Sequence, residues 1–310
     1  MVTIKKIEIK DYFGRGNFEW NLDPVVNILG GKNGSGKSSL FRLCYLMMSS
    51  GMINESLDKR FSAIFGSVNL LLNNDWRLEW KKSGINEDYL TNNEGTFRIG
   101  AVNLFDSKGR KCDFNEFKES SQVFLINSFE KETRELIKDL QSQKYILNTG
   151  ITTLDAMIDK QINIRNKNFS QMMEYFVDSP DSDEEKRSEY VLMYKKIYRS
   201  LEQFFIDYDK PFNSSFAFTK NGKVVGTDGL SMGEKQLFLL LLMVSNTNQK
   251  PCIFFMDEPD LSMHIDWKEI LVKELHELNP NMQIILSTHA PSVITGWHNK
   301  VKEVNQLIKK

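Results

Sequence analysis

Alternating apolar and polar residues near the start of the chain indicate β-strands. Residues 2–9 alternate in this way, and Phe18, Trp20 and Leu22 repeat the pattern, so two early strands are predicted. After residue 37 the apolar positions change to helical spacing, which predicts a helix with one buried face. The residues of that face are Leu40, Leu43, Cys44, Met47 and Met48.

Segments of strand length recur between residues 67 and 104. Turn signals separate them at Lys82-Ser-Gly and at Asn92-Asn-Glu-Gly, and residues 123–126 add a further short apolar strand. Because strands joined by short turns pair with their neighbours along the chain, this succession predicts an antiparallel meander.

A helical block follows, because residues 131–209 contain Gly150 as their only glycine and are rich in Lys, Glu, Gln, Leu and Met. Six apolar residues there have a spacing that places them on one helical stripe. They are Val191, Tyr194, Tyr198, Leu201, Phe205 and Tyr208. A less regular series predicts a partner helix, with Leu154, Ile158, Ile162, Phe169, Met173 and Phe176 as its members. The charged stretch 178–185 is interpreted as a solvated loop, and about three heptads are too few for a long coiled-coil arm.

Strand patterns return after Pro211, and an apolar helix is predicted from about residue 232 to 244. Further on, apolar strands at 252–256 and 283–286 enclose a helix at 267–278. This alternation of strand and helix predicts parallel strands in a buried sheet.

The fold class is therefore predicted as α/β, with a mixed, partly parallel sheet, an antiparallel meander and an inserted helical subdomain. Three parts are expected along the chain. They are residues 1–130, with the glycine-rich loop described below, residues 131–210, the helical insertion, and residues 211–310.

Composition narrows the function classes only a little. The chain has 310 residues, with 40 Lys and Arg against 41 Asp and Glu, so its formal charge of −1 indicates no polyanionic partner. The longest apolar run, 237–244, is shorter than the roughly 17 to 25 residues of a membrane-spanning helix. Three widely spaced cysteines support neither a disulfide framework nor a zinc site. Without a secretory signal pattern, a reducing cytoplasm is the expected setting.

Candidate chemistry begins with residues 31–38, which match the phosphate-loop pattern G-x-x-x-x-G-K-[ST] at every fixed position. The glycines let backbone N–H groups turn towards a phosphate chain, and the following helix adds the positive end of its dipole. Lys37 would reach the β- and γ-phosphates of a nucleoside triphosphate, and the Ser38 hydroxyl would bind Mg²⁺. The residues predicted to hold the nucleotide are Gly31, Lys32, Asn33, Gly34, Ser35, Gly36, Lys37, Ser38 and Ser39.

Two carboxylates, Asp257 and Glu258, come directly after an apolar strand. In a parallel α/β sheet the carboxyl end of a strand faces the ligand crevice, so this pair is predicted to complement the phosphate loop. Asp257 could hold Mg²⁺, directly or through water, while Glu258 could act as the general base that activates water.

A second helix N-terminus is predicted at Ser231. Its hydroxyl and the backbone of Gly233 would offer another anion site, although a simple helix cap would explain the same residues. Farther along, His289 follows the strand 284–287.

Four segments occur in the order typical of the ABC ATPase superfamily, at residues 31–38, 230–236, 254–259 and 287–291. Within it the chain resembles the RecF, SMC and OLD-like branch. That likeness rests on the opening Ile-Glu-Ile-Lys-Asp-Tyr-Phe, the signature form Leu-Ser-Met-Gly-Glu-Lys and the run Asp-Glu-Pro-Asp-Leu-Ser-Met-His.

The resemblance implies a head-to-head dimer that encloses each ATP between two chains. One chain would supply the phosphate loop, with Lys37, Glu258 and His289 in catalysis and Asp257 on the metal. The other chain would supply its signature residues, which are Ser231, Gly233 and Glu234.

The chain departs from the family pattern at three places. The glutamine expected to bind metal and water is not evident, and Asn127 is the candidate for its place. Met232 stands where many transporter signatures have glycine, and His264 stands where an aspartate commonly follows the acids. The residues that contact adenine are not fixed by a motif, and the candidates are Tyr12, Phe13 and Arg15.

The resemblance implies a Mg²⁺-dependent ATPase that controls a partner protein or DNA. Small ATPases of this kind resemble those paired with nucleases or reverse transcriptases in bacterial phage defence, so defence or DNA repair is the expected context. One alternative is the nucleotide-binding subunit of a membrane transporter, although the long insertion and the signature form count against it. Another is a non-hydrolysing scaffold, against which Glu258 and His289 argue. Lys108, Arg110 and Lys111 could touch DNA phosphates, but charges on a turn are more often simply solvated.

Overall fold

The computed structural model describes the chain at residues 2–82, 89–92, 95–114, 117, 122–126, 153–178, 184–211 and 216–309. The fold is mixed α/β, as predicted. The chain forms two compact units. The first consists of Met1–Asn127, Pro251–Pro259 and Asn281–Lys310, and the second consists of Ser128–Lys250 and Asp260–Pro280. The division into 1–130, 131–210 and 211–310 stays a prediction.

Elements are numbered along the described residues. The strands are β1 (Ile4–Lys10), β2 (Asn17–Asn21), β3 (Val26–Gly30), β4 (Met52–Asn54), β5 (Ser67–Leu72), β6 (Arg77–Lys81), β7 (Tyr89–Asn92), β8 (Gly95–Phe105), β9 (Lys111–Cys112), β10 (Gln122–Ile126), β11 (Lys210–Pro211), β12 (Phe218–Lys220), β13 (Lys223–Val225), β14 (Cys252–Asp257), β15 (Met282–Ser287), β16 (Val301–Glu303) and β17 (Ile308–Lys309). The helices are α1 (Lys37–Ser49), α2 (Glu55–Ser62), α3 (Thr153–Asp178), α4 (Glu184–Phe204), α5 (Met232–Ser245), α6 (Ile265–Leu278) and α7 (Val304–Leu307).

One sheet of the first unit is antiparallel. Its strands follow the order β17-β2-β1-β5-β6-β8-β4, and β7 and β9 also pair with β8. Phe18 and Trp20 of β2 are buried, as the alternation of apolar and polar residues predicts. The predicted meander is confirmed for β5, β6 and β8, which pair antiparallel with one another in chain order.

A second sheet of the first unit is parallel, with the order β10-β14-β15-β3-β16. Every residue of β3, β14 and β15 is buried, because strands covered on both faces carry continuous apolar runs. The predicted parallel pairing of β14 and β15 is confirmed. The assignment of residues 123–126 to the meander was wrong, since β10 pairs in parallel with β14.

Helix α1 follows β3 and packs against the parallel sheet. Its predicted face is confirmed, because Leu40, Leu43, Cys44, Met47 and Met48 are all buried, and the Phe41 ring lies 5.8 Å from that of Phe255 in β14. This packing fixes where the N-terminus of α1 stands relative to the carboxyl ends of the parallel strands.

The buried side chain of Gln283 in β15 connects the two sheets. Its Oε1 accepts a hydrogen bond from the Ile4 N–H of β1 at 2.8 Å, and its Nε2 donates to the Ile4 and Asp23 carbonyls at 2.9 Å each. Three polar partners therefore satisfy an amide that would otherwise be costly to bury.

The second unit is mainly helical within the described residues and holds α3, α4, α5 and α6 with the three-stranded antiparallel sheet β11-β12-β13. The predicted stripe from Val191 to Tyr208 needs correction at both ends. Val191 is 39% exposed, so it does not belong to the buried face. Helix α4 ends at Phe204, so the buried Phe205 lies in the segment that follows the helix. Residues 131–152, and most of the predicted loop 178–185, lie outside the described residues.

Within the residues that the structure describes, no helix is both long enough and apolar enough to cross a lipid bilayer.

Candidate nucleotide site

The glycine-rich loop runs from the end of β3 to the start of α1. Gly31, Gly34 and Gly36 have φ values of 152°, 75° and 95°, a region that glycine adopts without steric cost. Gly36 is the N-cap of α1, and no side chain forms a capping hydrogen bond there. The first turn of α1 therefore keeps N–H groups that a bound anion can satisfy.

Tyr12 forms a hydrogen bond to the backbone of this loop. Its hydroxyl donates to the Ser35 carbonyl at 2.5 Å, and burial raises the pKa of the phenol, which keeps it a donor. A Cβ on Gly36 would lie 2.6 Å from the Phe13 ring and 2.9 Å from the Tyr12 hydroxyl oxygen. Only glycine therefore fits between the two aromatic side chains and α1.

The three candidates for adenine contact differ in exposure. Tyr12 is fully buried, so its ring faces cannot stack on a base, whereas Phe13 is 38% exposed. Arg15 donates to Asn305 Oδ1 at 2.8 Å. Of the two aromatic candidates, Phe13 is the one that offers a surface to a ligand.

Two buried polar groups in the loop fit a phosphate chain. The Lys37 ammonium donates to the Gly31 carbonyl at 2.6 Å, and its burial is the main cause that lowers the lysine pKa. Ser35 Oγ is buried and has no hydrogen-bond partner among the described residues. An anion in the loop would compensate the desolvated ammonium and could give Ser35 a partner.

Asp257 and Ser287 face each other at the ends of two paired strands. The Ser287 hydroxyl donates to Asp257 Oδ1 at 2.5 Å, and both residues are buried. Glu258 follows with a φ of 50°, which is uncommon for a residue with a side chain, and its N–H donates to the Ser287 carbonyl at 2.9 Å. The backbone therefore leaves the extended conformation of β14 at Glu258.

The side chains of Lys37 and Glu258 both lie close to one ring nitrogen of His289. His289 Nε2 lies 3.2 Å from Lys37 Nζ and 3.3 Å from Glu258 Oε1. A neutral imidazole nitrogen can accept from the lysine or donate to the glutamate, but it cannot do both. The sequence motifs at residues 31–38, 254–259 and 287–291 thus converge within the first unit, as parallel strand order requires.

The signature residues lie in the second unit. Ser231 is exposed and forms the N-cap of α5 in a capping box with Glu234. Glu234 Oε2 accepts from the Ser231 N–H at 2.6 Å, and the Glu234 N–H donates to Ser231 Oγ at 3.4 Å. A Cβ on Gly233 would lie 2.2 Å from the Ser262 carbonyl oxygen, so only glycine fits there without displacement.

The remaining predicted residues are placed as follows. Lys32, Asn33 and Ser38 are exposed on the loop and the start of α1, and Ser39 is half-buried. Asn127 lies outside the described residues. Arg110 forms an ion pair with Asp106 at 2.7 Å. Sequence reasoning gave no role to Tyr12 beyond adenine, nor any to Ser287, although Ser287 stands inside the motif that contains His289.

Comparison with known proteins adds a curated relative. The "Retron Vc95 probable ATPase" of Vibrio cholerae serotype O1 biovar El Tor is 28% identical over 210 residues, which cover 62% of this chain and 40% of that protein. The chain therefore spans less than half the length of this relative.

Two solved structures share the fold. A SmcHead bound to the C-winged helix domain of ScpA has a TM-score of 0.54 at 13% identity, covering 94% of this chain and 91% of that chain. An Smc head domain with an extended coiled coil, bound to the C-terminal domain of ScpA derived from Pyrococcus furiosus, has a TM-score of 0.52 at 15% identity, covering 95% of this chain and 91% of that one. At these identities the similarity establishes the fold.

A family model gives the assignment. Residues 116–295, more than half of the chain, match the AAA_21 family, which is described as "AAA domain, putative AbiEii toxin, Type IV TA system". The predicted P-loop ATPase family is thereby confirmed. The chain belongs to the AAA_21 family, and it is an ABC-like P-loop ATPase with the fold of an Smc head and a relationship to a retron ATPase.

Proposed function

We propose that the chain hydrolyses ATP with Mg²⁺ and that ATP joins two copies of it head to head. The observation that carries the proposal is the convergence of Lys37, Glu258 and His289 on one point beside the phosphate loop. Three separated sequence motifs supply these residues. Their meeting matches what phosphoryl transfer needs, which is a cation for the phosphates, a base for water and a further polar group at the γ-phosphate.

The loop residues 31–39 bind the triphosphate in this proposal. Backbone N–H groups of the loop and the N-terminus of α1 would contact phosphate oxygens, and Lys37 would move from the Gly31 carbonyl to the β- and γ-phosphates. The phosphates would compensate the burial that lowers the lysine pKa, because a phosphate is a stronger partner for an ammonium than a carbonyl is.

Asp257 and Ser38 are the residues that fit Mg²⁺. Within the described ranges, no group of three or more His, Cys, Asp or Glu side chains could hold a metal on its own. That fits Mg²⁺, which in nucleotide enzymes binds through one or two protein oxygens together with substrate phosphates. When bound, Mg²⁺ would neutralise charge on the β- and γ-phosphate oxygens. Asn127 stays a predicted further ligand.

Glu258 acts as the general base in this proposal. It would accept a proton from the attacking water as the water oxygen bonds to the γ-phosphorus and the bond to the β–γ bridging oxygen breaks. His289 would donate from Nε2 to a γ-phosphate oxygen, which resolves the competition of Lys37 and Glu258 for that nitrogen. The left-handed backbone of Glu258 supports an aimed role, because strained residues concentrate at functional sites.

The second copy would contribute its signature residues. Ser231 is exposed at a helix N-terminus, which supports contact with an anion that is held by another copy of the chain. Met232, Leu261 and Ile265 of the same unit expose 55% to 58% of their surface, and burying such side chains between copies would favour the dimer.

Control of a partner protein is the proposed purpose of hydrolysis. ATP would favour the closed dimer, and hydrolysis of the ATP would favour separated copies. A partner that binds one of these two states more tightly would therefore be controlled by the nucleotide. The retron relationship supports phage defence as the context over DNA repair, and the ion pair of Arg110 with Asp106 weakens the case for the predicted DNA contact.

Two substitutions test the proposal. Lys37→Ala should abolish ATP binding in a titration with a fluorescent nucleotide, while the exposed Lys5→Ala should bind normally. Glu258→Gln should bind ATP, lose turnover by at least about 100-fold and elute as a dimer with ATP and Mg²⁺. Glu202→Gln, at an exposed position of α4, is its matched control. Unchanged turnover in Glu258→Gln would contradict the assigned base, and a monomer under those conditions would contradict the dimer.

A further inference from the structure

Tyr208 lies next to the signature capping box, four residues after the end of α4. Its hydroxyl donates to Glu234 Oε1 at 3.0 Å, while the other carboxylate oxygen of Glu234 accepts from the Ser231 N–H at 2.6 Å. One carboxylate thus bridges the tyrosine and the N-cap of α5.

The position of Tyr208 is itself fixed by packing. Its ring lies 5.6 Å from that of Phe205 and 5.5 Å from that of Phe218, with Lys220 Nζ 5.0 Å from the ring centroid. The Tyr208 N–H also donates to the Phe205 carbonyl at 3.0 Å. The phenol is therefore held before it meets Glu234, and its hydrogen bond costs little side-chain entropy.

The phenol stays a donor at neutral pH. Burial first, and then the hydrogen bond to Glu234, raise the pKa of Tyr208 to about 12. A neutral Tyr208 donating to a charged Glu234 is a charge-assisted bond, which is stronger than a bond between neutral groups.

Both carboxylate oxygens of Glu234 are used inside the chain. Bound on both oxygens, the carboxylate is held in one orientation and in turn orients the N-cap. The Ser231 Oγ accepts from the Glu234 N–H, so its own O–H remains as the donor to an incoming anion.

We propose that Tyr208 is a positioning residue for Ser231, acting through the Glu234 carboxylate to aim the Ser231 hydroxyl at the ATP of the opposing copy. This inference rests on the proposed function, because it assumes that Ser231 contacts a nucleotide held by another chain. It assigns to Glu234 the task of holding Ser231, without direct contact to the nucleotide.

Position in the chain gives Tyr208 a second consequence. It lies four residues after the end of α4, so a shift of that helix that carried the phenol away from Glu234 would release the Ser231 turn.

Steady-state hydrolysis by Tyr208→Phe tests the inference, with Tyr190→Phe on the exposed part of α4 as the matched control. We expect Tyr208→Phe to lower kcat about tenfold, the effect of losing roughly one charge-assisted hydrogen bond. The affinity of the single chain for ATP, measured at protein concentrations below dimer formation, should stay within about twofold of wild type. In the Glu258→Gln background, ATP-dependent dimerisation should need about ten times more protein.

A double variant separates positioning from general damage. If Tyr208 acts through Glu234, Tyr208→Phe combined with Glu234→Ala should be no slower than Glu234→Ala alone, because the shared interaction is already lost. Effects that multiply, or a kcat of Tyr208→Phe within twofold of wild type, would overturn the inference.

Failure of the inference can be told from failure of the proposed function. If the wild-type chain did not hydrolyse ATP, or if Ser231→Ala had wild-type turnover, the proposal that two copies form each ATP site would be wrong. The inference about Tyr208 would then be wrong as well. A slow Ser231→Ala variant beside a normal Tyr208→Phe variant would overturn only the role of Tyr208.

Discussion

The Ser287 hydroxyl holds the Asp257 carboxylate across the paired strands β14 and β15 at 2.5 Å. Both side chains are buried, and the partners stand at matching positions of two parallel strands. Hydrogen bonds of this kind around a metal-binding carboxylate fix its orientation before the ion arrives. The serine thus belongs to the candidate site although it would touch neither nucleotide nor metal.

Removing the serine hydroxyl should weaken metal binding selectively. Ser287→Ala leaves one oxygen of a buried carboxylate without its donor, and we expect the affinity for Mg²⁺ in the presence of ATP to fall about tenfold or more. Titration calorimetry with and without Mg²⁺ measures the effect. ATP binding without metal should stay unchanged, and Ser292→Ala serves as the control. Equal losses with and without Mg²⁺ would contradict the role.

Tyr12 should matter for ATP affinity even though it cannot contact the base. Tyr12→Phe keeps the buried ring but removes the donor to the Ser35 carbonyl, a loss of about 1 kcal/mol. We therefore expect ATP to bind about fivefold more weakly, as measured by nucleotide titration. Tyr45→Phe on α1 provides the control, and an unchanged affinity in Tyr12→Phe would count against a supporting role.

Gly233 should tolerate no side chain. The Cβ of Gly233→Ala would meet the Ser262 carbonyl oxygen at 2.2 Å, and a backbone group cannot yield without moving its turn. We expect a loss of about 1–3 kcal/mol in the free energy of unfolding, measured by urea denaturation. Met232→Ala at the neighbouring exposed position should change stability by less than about 0.5 kcal/mol. Equal stability of wild type and Gly233→Ala would refute the close approach.

Glu274 should make stability depend on pH. Burial is the main cause that raises its pKa above the ordinary 4.5, although the Ser200 hydroxyl donates to Oε2 at 2.9 Å. The folded chain thus holds this proton more tightly than the unfolded chain does. The stabilising contribution is complete below pH 4.5 and is lost as the pH rises through the raised pKa.

Glu274→Gln should therefore be more stable than wild type at pH 8, and the difference should shrink as the pH falls towards 4.5. Urea denaturation across this range measures it, with the exposed Glu269→Gln on the same helix as the control. A difference that stays constant with pH, or that grows as the pH falls, would contradict the assignment to Glu274.

Sequence patterns predicted the parallel core because its strands are continuous apolar runs followed by polar motifs. Residues 252–256 and 283–286 pair as expected, and the phosphate loop and His289 meet at their carboxyl ends. The same patterns could not assign residues 123–126 to the correct sheet. A short apolar edge strand has the same sequence pattern whether it pairs with the next strand along the chain or, as here, with one more than a hundred residues later.

Other features escaped because they depend on single long-range contacts. Gln283 stands in an apolar strand with nothing in its neighbourhood to indicate that it binds the Ile4 backbone of another sheet. Tyr208 fitted a helical spacing, yet α4 ends before it and its hydroxyl contacts Glu234. Periodicity reports which face is apolar, but it does not report where a helix stops or which polar atom a side chain reaches.

The strand that leads into the phosphate loop is synthesised long before the strands that pair with it. In the described part of the chain, β3 pairs with β15 and β16, so Val26 waits for Ile284 and Ile28 for Val301. A ribosome adds about 5 to 20 residues each second, which leaves this loop without its sheet for many seconds of translation. Nascent chains should accordingly acquire nucleotide binding only after β15 and β16 have been synthesised, and until then β3 is an exposed apolar segment that a chaperone could shield.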